Sequence, residues 1–60
     1  MFFNNGFDYF IMQSDENKQK VLEIAEANPM VSLSSILRAL NLSRRDFTDL
    51  DYHTLEREVR

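Results

Sequence analysis

Leu33, Ile36, Leu37 and Leu40 fall at i, i+3, i+4 and i+7, the repeat of a single helix face. Ser32 stands just before them as an N-cap, and Asn41 follows them as a residue that tolerates left-handed backbone and so ends a helix. Leu42 would pack under that turn. A third helix then starts after Ser43, with Asp46 three residues on in a variant of the capping box. Phe47 and Leu50 are expected to face inward, and Leu55 and Val59 continue the stripe. The stripe drifts between Leu50 and Leu55, so a bend or two shorter helices near Asp51 remain open.

Upstream, Val21, Ile24, Ala25 and Leu22 give residues 15–27 a buried stripe. Ser14 is the expected N-cap, and Asp15 and Glu16 suit the positive end of the helix dipole. Asn28-Pro29 ends this helix, because the residue before a proline is pushed out of the α region. Residues 1–13 hold five of the seven aromatics: Phe2, Phe3, Phe7, Tyr9 and Phe10. Asn5-Gly6 is a turn dipeptide. The alternation of Phe7, Tyr9 and Ile11 against Asp8, Phe10 and Met12 predicts a strand, which would have to pair within the domain or with a partner chain. Phe7, Phe10 and Ile11 also fit helical spacing, so an N-terminal extension of the first helix is the competing reading. The fold class expected is mainly α: a three-helix domain over residues 14–60, preceded by an aromatic extended or strand segment over residues 1–13.

Charge changes the picture. The chain carries a net −3, and residues 1–26 hold two lysines against five acids. Residues 27–45 reverse that sign: they contain Arg38, Arg44 and Arg45 and no acid. Together with Leu37, Asn41, Leu42, Phe47 and Leu50 in their spacing, residues 31–50 resemble the generic helix-turn-helix superfamily. A winged variant would need a β-hairpin after the third helix, so the wingless form is expected. The resemblance implies a small DNA-binding transcriptional regulator, whose second motif helix enters the major groove. Ser43, Arg44, Arg45 and Thr48 lie at the start of that helix. Base reading falls to Arg44, Arg45 and Thr48, and an arginine there can grip guanine with two bonds. Ser34, Ser35 and Arg38 would contact phosphate.

The opposite expectation rests on Asp46, Asp49 and Asp51, which follow the arginines closely and would repel phosphate or pair with the guanidiniums. In that reading the chain is a protein-protein interaction module, an inhibitor or adaptor, and Phe2, Phe3, Phe7, Tyr9 and Phe10 form its contact patch. Sixty residues without a cysteine form a marginal core, and small scaffolds often gain stability by oligomerising, so a homodimer is expected.

The residues for catalysis are sparse. His53 is the single histidine and there is no cysteine, so neither a Cys–His pair nor a multi-histidine metal site can form. Asp49 and Asp51 lack the glycine and terminal glutamate of a calcium loop. With one glycine, no phosphate-cradling loop is available. No enzyme activity, cofactor or small-molecule ligand is therefore expected. The apolar runs are far short of the ~20 residues that span a bilayer, and no basic residue precedes Lys18 as a signal peptide would require, so a cytoplasmic protein without membrane contact is expected.

Overall fold

The computed structural model describes residues 6–59, which fold into three α-helices and one 3-10 turn, with no strand among them. Helix α1 spans Gly6–Ala27, α2 spans Leu33–Ala39, the 3-10 turn spans Arg44–Asp46, and α3 spans Asp49–Glu58. The long α1 is the spine: α2, the 3-10 turn and α3 all pack against it. Val21 from α1, Ile36 and Leu37 from α2, Phe47, and Leu55 and Val59 from the end of the chain make the buried core. Leu22, Ile24, Ala25, Val31, Leu33, Leu40, Leu42 and Tyr52 cover it.

The sequence expectation of a strand over residues 7–12 is overturned: these residues are the first two turns of α1. A lone strand has no partner for its backbone groups, whereas a helix satisfies them within the segment. Extending a helix already formed over residues 15–27 also avoids the cost of a new nucleus. Phe2 and Phe3 lie outside the described residues. The helix runs without a break through the expected boundary between residues 13 and 14, so Ser14 is not an N-cap. It is instead a fully buried mid-helix residue. The end of α1 is as expected: the backbone N–H and side-chain amide of Asn28 both donate to the Ile24 carbonyl, each at 2.9 Å, just before Pro29.

Helix α2 and its exit follow the expected pattern. Ser32 has extended backbone, and its hydroxyl accepts from the Ser35 N–H at 3.3 Å. Asn41 adopts φ 59°, the left-handed region. The Leu42 N–H then reaches back to the Leu37 carbonyl at 2.8 Å, and the Asn41 N–H to the Arg38 carbonyl at 3.1 Å. This paired arrangement satisfies the last free carbonyls of the helix and sets Leu42 against Leu37.

The third helix begins later than the sequence suggests. After Ser43 the chain makes only the 3-10 turn, whose Asp46 carboxylate accepts from the Ser43 N–H at 2.7 Å. Phe47 and Thr48 are extended, and α3 starts at Asp49. Thr48 is its true N-cap: the hydroxyl accepts from the Asp51 N–H at 3.2 Å. The sequence thus holds two start signals of the form Ser/Thr-x-x-Asp, at Ser43 and at Thr48. Only the second one launches an α-helix. One consequence is that Leu50, expected to face inward, is 77% exposed. With the helix starting at Asp49, Leu55 and not Leu50 falls on the buried face.

Candidate functional site

The two surfaces singled out from sequence meet different fates. On the basic surface, Arg38 is exposed on α2 and Arg45 is exposed in the 3-10 turn. Neither makes an ion pair with a described residue. Arg44 is held in place: its Nη2 lies 2.7 Å from Asp49 Oδ1, and its guanidinium carbon sits 4.5 Å from the centre of the Tyr52 ring. Tyr52 in turn meets Phe47 with ring centres 5.9 Å apart. The hydrogen bond and charge of Arg44 hold the Asp49 carboxyl below its ordinary range. Arg44 thus meets the start of α3 through an exposed ion pair and a ring contact, and stays half-exposed.

Ser35, Ser43 and Thr48 are similarly engaged in local hydrogen bonds. Ser34 and Ser35 are exposed, but the Ser35 amide is taken by Ser32, whose own hydroxyl donates to Ser35 Oγ at 3.1 Å. The Ser43 N–H and hydroxyl both donate to Asp46. Thr48 caps α3 and is bonded to Ser14. Beyond the arginines, α3 exposes Asp49, Glu56 and Glu58 against Arg57, while Asp51 is largely buried. His53 lies on an exposed face of α3, 3.3 Å from Glu56.

Of the aromatic patch expected from sequence, only Phe7 among the described residues lines the apolar cleft that the structure shows, a concavity of about 620 Å³ between the first turns of α1 and the first turn of α3. Phe7, Ile11 and Met12 form its α1 side and Leu50 its α3 side. All four are exposed large hydrophobics. Phe7 and Ile11 are one helical turn apart, so their side chains lie one above the other along α1. Of the other aromatics expected here, Phe10 is half-buried, while Tyr9 is exposed and accepts a hydrogen bond from Gln13 at 3.1 Å. Asp15, Glu16, Thr48 and Asp51 complete the lining.

What fixes this cleft is a polar knot at its base, built around Ser14. The Ser14 hydroxyl donates to Asp51 Oδ2 at 2.5 Å and accepts from the Thr48 N–H at 2.7 Å. Lys18 lies 3.2 Å from Asp15 and 3.4 Å from Asp51. One turn further, the Asn17 side-chain amide donates to the Asp46 carbonyl at 3.2 Å. The hydrogen bond to Asp15 raises the Lys18 pKa; partial burial opposes it, and the charge and bonding of Asp51 add to it. For Asp51, burial pushes the carboxyl up. The Ser14 hydrogen bond, the charge and bond of Lys18 and the Thr48 bond together outweigh it and hold the carboxyl below its ordinary value. Both groups are thus charged at neutral pH.

Sequence reasoning missed Ile11, Met12, Leu50, Ser14 and Asp51. Phe7, Ile11 and Ser14 at i, i+4 and i+7 were a readable signal once residues 7–12 were taken as helix. Leu50 carried no such signal, since its exposure follows from where α3 starts. Comparison with protein-family models, with curated proteins and with solved structures finds no match to this chain.

Proposed function

We propose that this chain is a non-enzymatic protein-interaction module that binds its partner through the cleft formed by Phe7, Ile11, Met12 and Leu50. The observation that carries the reading is the convergence of four exposed large hydrophobic side chains from two helices on a single concavity. Solvent-facing hydrophobics scattered singly need no explanation, but a contiguous patch rimmed by polar groups marks an interaction site. The polar knot at Ser14 supports this. It anchors both walls of the cleft, so little ordering cost remains to be met on binding.

The helix-turn-helix resemblance implies the other reading, a DNA-binding regulator. Arg38 and Arg45 favour it by their exposure. The pairing of Arg44 with Asp49, the bonded hydroxyls of Ser43 and Thr48 and the acidic α3 weigh against it, because affinity for DNA comes mainly from neutralising phosphates.

Recovery of partners from the native host by the tagged chain decides between the readings. Phe7→Asp and Leu50→Asp disrupt the cleft while placing an anion in the first turn of a helix, where it is tolerated. A protein partner retained by Arg38→Ala/Arg45→Ala and lost by Phe7→Asp/Leu50→Asp is the expected result. Salt-sensitive recovery of DNA, lost with the arginines and kept by the cleft variant, would establish the DNA reading instead.

A further inference from the structure

We infer that the occupant of the cleft is an amphipathic helix of a partner protein, with an apolar stripe flanked by lysine and arginine. This rests on the interaction-module reading and deepens it.

Three observations lead there. First, the apolar side chains that line the cleft stand on two helices, and no strand edge exists among the described residues to which an extended peptide could add. A groove of this kind takes a helix that inserts apolar anchors at i, i+3 or i+4, and i+7. Second, the apolar walls are bordered by Asp15, Glu16 and Asp51, and no basic residue lines the cleft among the described residues. Lys18 bridges Asp15 and Asp51 and sets one positive charge against three carboxylates. Third, the alternative of a second copy brings like against like. A two-fold contact through this face turns the same acidic rim toward itself, in a chain of net charge −3. A cationic flank removes that repulsion and steers the approach.

The probe is a pair of synthetic helical peptides with an identical apolar stripe, one flanked by lysine and the other by glutamate. Binding to the full chain is read by fluorescence anisotropy at low and high salt, and its location by amide chemical shifts. The lysine peptide is expected to bind at least about tenfold more tightly at low salt, with an advantage that shrinks as salt screens the charges. Shifts should centre on Phe7, Ile11, Met12 and Leu50. Leu50→Asp should abolish binding, and Glu16→Lys should narrow the preference.

Equal binding of both peptides in the cleft overturns the cationic occupant while leaving the interaction reading standing. Lysine-peptide binding that survives Phe7→Asp/Leu50→Asp is diffuse attraction to an acidic protein and overturns the inference. A dimer in sedimentation that Leu50→Asp dissolves makes the second copy the occupant. If neither peptide binds, the inference fails, and partner recovery from the host decides the broader reading independently.

Discussion

A hydroxyl that donates to one group and accepts from another can hold two elements together, and Ser14 does so for α1 and the start of α3. Ser14→Ala would leave the Thr48 N–H without its acceptor and strip Asp51 of its shortest bond. The expected cost is about 1–3 kcal/mol, the usual penalty for orphaning a partly buried polar group, measurable by urea unfolding. Asp51 adds a pH dependence. Its folded-state pKa lies below its unfolded one, so its contribution is fully present above the ordinary aspartate value of about 3.9. That contribution fades as pH falls through the lower folded value. Wild type should therefore lose stability more steeply than Asp51→Asn on acidification below about pH 4, checked by thermal melts across that range. At Asn41, where φ is 59°, alanine should cost about 1–2 kcal/mol and glycine should be tolerated. For a domain of this size each kcal/mol moves the melting temperature by roughly 4–8 °C.

At the scale of elements, local signals were legible and competing signals were not. Asn41, Ser32 and Asn28-Pro29 act on backbone groups within four residues of themselves, so the ends of α1 and α2 could be read directly. The start of α3 could not. Ser43-x-x-Asp46 and Thr48-x-x-Asp51 are equivalent as local patterns, and the choice between them is supported by Ser14, 34 residues before Thr48. The first turns of α1 were equally ambiguous, because Phe7, Tyr9 and Ile11 alternate while Phe7, Phe10 and Ile11 keep helical spacing. Both errors bear on the site: one hid the α1 wall of the cleft and the other hid Leu50. The two-signal account has a direct test. Thr48→Ala removes the α3 cap and should cost about 1 kcal/mol. Ser43→Ala should cost less, since the Asp46 carboxylate keeps its bond to the backbone N–H of residue 43. Urea unfolding of the two variants gives the comparison.

For the molecule as a whole, the six buried hydrophobic residues among those described are a slender core. A core this small rarely supplies more than about 3–5 kcal/mol of net stability, and Leu55→Ala, at a fully buried position, would remove about 2–5 kcal/mol. That variant is expected to be largely unfolded at room temperature by circular dichroism, whereas Leu50→Asp should melt close to wild type. The contrast separates the residues that build the fold from those the fold displays. The Ser14–Thr48 link also bears on cooperativity. The Thr48 amide hydrogen is bonded across the chain and not within its own helix. It loses that partner when α1 and α3 part. Its protection from exchange is therefore expected to follow the contact between α1 and α3, while the amides of the exposed 3-10 turn beside it are expected to exchange faster. A peptide of residues 43–60 lacks that partner, and it should show little helix in isolation: α3 is made by the assembled molecule.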